Sequence, residues 1–219
     1  RKALLLVPFT LASAGLSQPA YAAEKTVRAP AASVTAKESG ALKTAIFAGG
    51  CFWGIEGVFS HVKGVKSAVS GYHGGTAATA NYKSVTGGFT NHKESVRVVY
   101  DPKVVRYDEL LRIFFSVGTN PTQLNRQGPD VGAHYRNALV PLSAEQRRVA
   151  NAYIKQLRAS GVWGKRIVTK VETYRKFYKA ETYHQDYMVK NPRQRYIVTW
   201  DKPKVTALKR LYPSYYRAR

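Results

Sequence analysis

A chain of 219 residues is long enough for one domain with a buried core and short for two. Its 35 Lys and Arg outnumber its 13 Asp and Glu, which gives a net charge of +22. This charge favours anionic partners such as lipid, nucleic acid, cell-wall polymers or acidic protein segments. A basic exported protein without such a partner explains the charge equally well. The single cysteine excludes a disulfide within the chain, so it is an inert buried side chain, a bonding partner for another chain or a reactive thiol.

The first 23 residues have the pattern of a secretory signal peptide. Two basic residues precede a short apolar run that ends at Leu16, and small residues follow. We expect cleavage after Ala22 or Ala23 and therefore an exported protein, periplasmic or secreted. Residues 24–41 are rich in Ala, Lys, Ser and Thr without an apolar period, which predicts a linker.

The predicted domain spans residues 42–200 and begins with a strand over 43–48. Two glycines follow, and apolar residues at helical spacing predict a helix that opens at Cys51 and ends at Gly64. Further along we predict strands over 65–72, 94–100, 135–140 and 167–174, helices over 107–117 and 143–160, and long loops over 74–91 and 118–133.

This order of elements indicates an α+β fold. A two-layer α/β sandwich with a ferredoxin-like core, long loops and a C-terminal extension accommodates it. Residues 201–219 are predicted to be a basic tail in solvent. No stretch after the leader is long and apolar enough to cross a membrane.

Glu94 lies on an unexpected face of its predicted strand. Side chains two apart share a face, so Glu94 points the same way as Val96, Val98 and Tyr100. A carboxyl on the apolar face is either half of a structural ion pair or a functional acid.

Cys51 follows a Gly-Gly turn and opens a helix. The first-turn amides and the helix dipole stabilise a thiolate, so we expect the pKa of Cys51 to lie below the usual 8.5 or so. A lone cysteine is otherwise most often a small buried apolar side chain. The helix start and the neighbouring Phe52 and Trp53 make a nucleophile about equally plausible.

Six segments in order resemble motifs of one enzyme family, the A-type methionine sulfoxide reductases, over roughly residues 42–198. They are Gly-Gly-Cys51-Phe52-Trp53-Gly-Ile-Glu56, Gly71-Tyr72-His73-Gly74-Gly75, Asn81-Tyr82, His92-Lys93-Glu94, Pro121 to Arg136, and Ala180-Glu181-Thr-Tyr183-His184-Gln185-Asp-Tyr187. The chain departs from the family at Lys93, where a small residue is usual.

The resemblance implies which residues act. Cys51 would attack the sulfoxide sulfur and Glu94 would supply the proton, while Tyr82 and Tyr135 would hydrogen-bond the sulfoxide oxygen. Three further residues would bind substrate, with preference for the S epimer at sulfur: Phe52, Trp53 and Asp130. Tyr183 and His184 would support the site.

The expected partners follow from the same resemblance. The substrate is free methionine sulfoxide or a protein that contains it. Many family members reduce the cysteine sulfenic acid with a second cysteine, which this chain does not have. We therefore expect a one-cysteine cycle with an external thiol, either a thioredoxin-like protein or glutathione.

No cofactor, metal or nucleic acid is expected, and we expect a monomer. The five histidines lack the HxH and HExxH spacings of metal sites. Two other classes remain open: an exported noncatalytic binding protein that uses its basic surface, and a thiol hydrolase of the acyl-transfer type. A hydrolase would need a His base and an Asn or Asp beside Cys51, and no motif supplies them.

Overall fold

The computed structural model describes residues 26–219. The predicted signal peptide, residues 1–23, lies outside this range. No helix within the described range is both long and apolar enough to cross a membrane.

Strands and helices alternate along most of the chain. The strands are β1 (Lys43–Ala48), β2 (Val65–His73), β3 (Lys93–Tyr100), β4 (Arg126–Gln127), β5 (Asp130–Val131), β6 (Ala138–Val140), β7 (Lys170–Val171) and β8 (Phe177–Lys179). The helices are α1 (Phe52–Ser60), α2 (Tyr82–Thr86), α3 (Tyr107–Ile113), α4 (Ala144–Ser160), α5 (Tyr187–Lys190) and α6 (Lys202–Leu211). Two π-helical turns, Phe114–Gly118 and Ile197–Asp201, follow α3 and precede α6.

Within residues 26–219, six strands form one sheet in the order β7-β6-β1-β3-β2-β8, and β4 pairs with β5 in a separate ribbon. Neighbours in the sheet are antiparallel except β6 and β7. The four central strands are β6, β1, β3 and β2. Along the chain, α1 connects β1 to β2, which lie on either side of β3, and α3 follows β3 and precedes β6, which lie on either side of β1. Two interlocked β-α-β units of this kind make a ferredoxin-like core. The predicted α+β sandwich is thus confirmed.

Both connecting helices lie on one face of the sheet. The ring of Phe47 in β1 is 4.6 Å from that of Phe59 in α1 and 6.1 Å from that of Tyr107 in α3, measured between centroids. Val96 and Val98 of β3 are fully buried on the same side. This is the face that Glu94 shares, as its period of two predicts.

The segment predicted as a linker lies against the domain from residue 26 onward. The backbone N–H of Ala36 donates to Asp108 of α3 at 2.8 Å, and the Tyr153 hydroxyl of α4 donates to the carbonyl of Pro30 at 2.7 Å. Long-range contacts of this type leave no periodic pattern in the sequence, which explains why composition alone suggested a linker.

The basic residues after position 200 differ from the solvated tail that we predicted. They include α6, which packs on α1 and buries Ala207 and Leu208. Beyond the helix, Tyr216 forms a backbone bridge with Val62 at the end of α1. The high density of Lys and Arg hid a short apolar stripe, because one face of a helix can be buried while the other carries the charges.

Two predicted strands are shorter in the structure. The strand predicted over 135–140 begins at Ala138, after a 3-10 turn at Ala133–Tyr135, and the one over 167–174 is reduced to β7. The loop over 74–91 contains α2, and β8 was not predicted. Edge strands and single helical turns depend on their neighbours more than on local propensity.

Candidate active site

The turn between β1 and α1 places the Cys51 side chain at the start of the helix. Gly50 has φ +105°, a conformation that suits glycine, and a Cβ there would come within 2.5 Å of the Gln127 side chain. Cys51 precedes the first helical residue and is 7% exposed. The glycine therefore lets the chain turn sharply beneath a neighbouring loop and bury the thiol.

Glu94 lies beside this helix start. Its Oε2 accepts a hydrogen bond from the backbone N–H of Phe52 at 2.9 Å, and its side chain is 2% exposed. Since Phe52 follows Cys51, the structure brings the predicted nucleophile and the predicted acid together from positions 43 residues apart in the sequence.

Burial raises the pKa of Glu94 to about 8. The hydrogen bond from Phe52 opposes this shift, and the negative charges of Asp130 and Asp201 add to it. At neutral pH the carboxyl is therefore mostly protonated, which is the state that a proton donor requires.

The prediction of a low pKa for Cys51 is wrong. Burial raises it well above its usual value, and the charges of Glu94, Asp201 and Asp130 raise it further. The backbone N–H of Trp53 acts in the opposite direction and is outweighed. The helix start does favour a thiolate, but three carboxyl groups around a buried sulfur favour the thiol.

Tyr82 and Tyr135 both lie near this pair. Burial and the charge of Glu94 raise the pKa of Tyr82 to about 12, and the same two causes raise that of Tyr135. Both phenols keep their protons at physiological pH and can donate hydrogen bonds to an oxygen beside Cys51.

Trp53 is held between two residues of the C-terminal part of the chain. Its indole N–H donates to Nδ1 of His184 at 3.0 Å, and its ring stacks on Tyr187 with centroids 3.7 Å apart. Burial lowers the pKa of His184, in keeping with a neutral ring that accepts this bond. His184 thus supports the site, whereas Tyr183 is mostly exposed.

Phe52 differs from Trp53 in exposure. The Phe52 ring is fully buried and lies 4.9 Å from the His184 ring, whereas Trp53 is only partly buried. Within this arrangement the indole is the better placed of the two to meet a ligand from outside.

Asp130 is bonded to a residue that the sequence did not single out. The hydroxyl of Tyr196 donates to its Oδ2, and the Tyr196 ring meets Trp53 edge-on with centroids 5.9 Å apart. Asp130 and Tyr196 line a cavity of about 460 Å³, together with Trp163 and Trp200. Several atoms of a peptide chain fit into a space of this size.

Lys93, the residue at which the chain departs from the family pattern, faces away from Glu94. Its ammonium group is buried on the other side of the sheet and pairs with Glu172 at 2.5 Å. A lysine next to Glu94 in sequence is therefore not next to it in space, as the alternation along a strand requires.

Sequence reasoning missed three contributors from the last 40 residues. Glu181 accepts hydrogen bonds from the Tyr82 backbone and the Tyr72 hydroxyl, both at 2.8 Å, and so fixes the start of α2. Tyr196 and Asp201 close the site from the C-terminal side. One available signal was Asp201, the sole acid among nine Lys and Arg after position 186.

The described part of the chain contains no cluster of three or more His, Cys, Asp or Glu that could hold a metal ion. The site brings together one thiol, the protonated carboxyl of Glu94, the carboxyls of Asp130 and Asp201, and several phenols.

A buried cysteine beside a protonated carboxyl, on a ferredoxin-like sandwich, is the arrangement of a cysteine enzyme with its own acid. The family model described as peptide methionine sulfoxide reductase matches residues 43–214. The chain belongs to this family of oxidoreductases. The matched range includes α6, beyond the predicted domain end at residue 200.

Named relatives agree with this assignment. Peptide methionine sulfoxide reductase MsrA 2 of Mesorhizobium japonicum is 51% identical over 174 residues, which cover 80% of this chain and 89% of that protein. The protein of the same name from Synechocystis sp. is 47% identical and covers 80% and 81%, respectively.

Solved structures show the same fold. Mxr1 from Saccharomyces cerevisiae in reduced form has a TM-score of 0.63 and 33% identity, covering 74% of this chain and 92% of its own. Methionine sulfoxide reductase A of Corynebacterium diphtheriae has a TM-score of 0.59 and 31% identity, covering 81% and 91%.

Proposed function

We propose that this enzyme reduces methionine-S-sulfoxide, free and in proteins, to methionine, and that it does so through a sulfenic acid on Cys51. The observation that carries the proposal is the burial of the Cys51 thiol beside Glu94, whose carboxyl keeps its proton at neutral pH. A nucleophile and a proton donor at one position are what the transfer of oxygen from one sulfur to another requires.

The first step moves one oxygen atom. The Cys51 sulfur attacks the sulfoxide sulfur while Glu94 gives its proton to the sulfoxide oxygen, and the thiol proton restores Glu94. The old S–O bond breaks and a new one forms on Cys51, so that thiol and sulfoxide become sulfenic acid and thioether. The sulfoxide is reduced by two electrons and Cys51 is oxidised by two.

The neighbouring side chains serve this step in our proposal. Tyr82 and Tyr135 donate hydrogen bonds to the sulfoxide oxygen as its negative charge grows. Trp53 and Phe52 hold the methyl group, which fixes the S epimer, and Asp130 positions the substrate backbone.

The return to the thiol uses two external thiols, because Cys51 is the sole cysteine among the 219 residues. The first attacks the sulfenic acid, giving a mixed disulfide and water. The second attacks the mixed disulfide, which releases the Cys51 thiol and an external disulfide. The donor is a thioredoxin-like protein or glutathione.

A racemic mixture of methionine sulfoxide epimers tests the function directly. With dithiothreitol as the thiol, the enzyme is expected to consume half of the mixture and leave the R epimer, which chiral chromatography resolves. Consumption of neither epimer would refute the proposal and favour the noncatalytic binding protein. Equal consumption of both would refute the epimer preference alone.

We also propose that the enzyme is exported and repairs oxidised proteins outside the cytoplasm. Support comes from the basic start, short apolar run and small residues of positions 1–23. After expression of the chain with its leader in a bacterium, N-terminal sequencing of the extracytoplasmic protein is expected to start at residue 23 or 24. An intact leader on protein confined to the cytoplasm would contradict export.

A further inference from the structure

Asp201 is a buried carboxylate that the sequence did not connect with the active site. It is the last residue of the π-helical turn before α6 and is fully buried. A lone buried carboxylate is costly unless it is paired and fully hydrogen-bonded. If Asp201 had only a structural role, both of its carboxylate oxygens should therefore have hydrogen-bond or ion-pair partners.

The partners of Asp201 are incomplete. Its Oδ1 lies 3.4 Å from the ammonium group of Lys204, one turn along α6. Its Oδ2 is buried without a hydrogen-bond partner among residues 26–219. The side chains and backbone of residues 26–219 therefore provide a partner for only one oxygen of this carboxylate.

The carboxylate packs against the first turn of the catalytic helix. Gly54, three residues after Cys51, has no side chain at the point of contact, and a Cβ there would overlap the Asp201 carboxylate. The same helix turn therefore carries the nucleophile and accommodates the charge. Asp201 also raises the pKa values of Cys51 and Glu94 through its charge.

Several titratable groups surround the Cys51 sulfur, and more of them can carry a negative charge than a positive one. They are the carboxyls of Glu94 on β3, Asp130 on β5 and Asp201, and the phenols of Tyr82, Tyr135 and Tyr196. Lys204 is the cation paired with Asp201. The surroundings of the sulfur thus favour a neutral thiol over a thiolate.

We propose that Asp201 is a positioning residue of this active site: its buried carboxylate, packed against the first turn of α1, favours the neutral thiol of Cys51 over the thiolate. Thiolates are the form of cysteine that oxidants attack, and over-oxidised forms are not restored by thiols. The inference rests on the proposed function of Cys51. It adds that a carboxylate from the C-terminal part of the chain takes part, with burial and Glu94, in holding the nucleophile as a thiol.

The pH dependence of Cys51 alkylation tests this inference without any turnover. Because Cys51 is the sole cysteine, iodoacetamide incorporation measured by mass spectrometry reports on it alone. In Asp201→Asn the midpoint of the alkylation profile is expected to fall by about one pH unit, and inactivation by hydrogen peroxide at pH 7.5 is expected to be several-fold faster. Asp201→Ser removes the same charge and replaces the amide variant should that one fail to fold.

Asp186→Asn is the matched control, since this carboxylate is partly exposed and pairs with Arg219. Its alkylation midpoint is expected to equal that of the wild type. An unchanged or higher midpoint in folded Asp201→Asn or Asp201→Ser would overturn the inference, because a purely structural Asp201 alters stability without lowering the midpoint. If the midpoint falls in the Asp201 variants as expected but the wild type reduces neither epimer, the proposed function is refuted and the inference about Asp201 is not.

Discussion

Replacing Cys51 by Ser is expected to abolish methionine sulfoxide reduction, with a loss of at least about 10³-fold that brings the rate to background. A serine hydroxyl at this buried position lacks both the nucleophilicity and the redox chemistry of sulfur. The measurement is dithiothreitol-driven reduction of the S epimer. Circular dichroism and thermal unfolding of the variant are expected to match the wild type, since Ser and Cys have nearly the same size.

The wild type supplies the complementary observation. With one equivalent of the S epimer and no thiol, a diketone reagent for sulfenic acids is expected to label Cys51 alone, and the Ser variant is expected to remain unlabelled. Added glutathione is expected to replace the sulfenic acid by a mixed disulfide, visible as a mass increase. Residual turnover by the Ser variant would remove Cys51 from the mechanism.

Replacing Glu94 by Gln is expected to slow sulfenic acid formation by roughly 10²–10⁴-fold. The amide keeps the shape of the side chain and cannot transfer a proton to the sulfoxide oxygen. The single-turnover rate in excess enzyme measures this step without the later thiol reactions. Glu145→Gln, on the exposed start of α4, is the control and is expected to react at the wild-type rate.

The pH profile sharpens this prediction. Because the pKa of Glu94 is raised to about 8, its proton is present below that pH and lost above it. The single-turnover rate of the wild type is therefore expected to fall as the pH rises through about 8, and Glu94→Gln is expected to lack this decline. A variant that reacts as fast as the wild type would show that the proton comes from elsewhere.

Local patterns were sufficient to predict the centre of the site. The Gly-Gly turn before an amphipathic helix predicted the position of Cys51, and the period of two along β3 placed Glu94 on the buried face. Both predictions concern positions, a helix start and a face of a strand, that the residue's own element determines. The split β-α-β units also follow from element order, so the fold class was accessible from the sequence.

The remainder of the site depends on contacts between distant segments. Burial reverses the expected direction of the Cys51 pKa, and charges from separate segments add to the shift: Glu94 on β3, Asp201 before α6 and Asp130 on β5. Tyr196 immediately precedes the irregular turn that starts at Ile197, and its hydroxyl bonds to Asp130, 66 residues away in the sequence. Electrostatic environments assembled from several parts of the chain are beyond periodicity and propensity.

The course of residues 26–41 affects how this protein should be handled in the laboratory. Thr26 and Val27 line the same cavity as Asp130 and Tyr196, so the described backbone begins at the rim of the space beside the active site. A bulky label introduced at Thr26 or Val27 would lie at that rim and hinder the entry of a polypeptide into the cavity. Arg219, by contrast, is partly exposed and pairs with Asp186, and neither residue lines the cavity, which makes position 219 the better site for a label or for surface immobilisation.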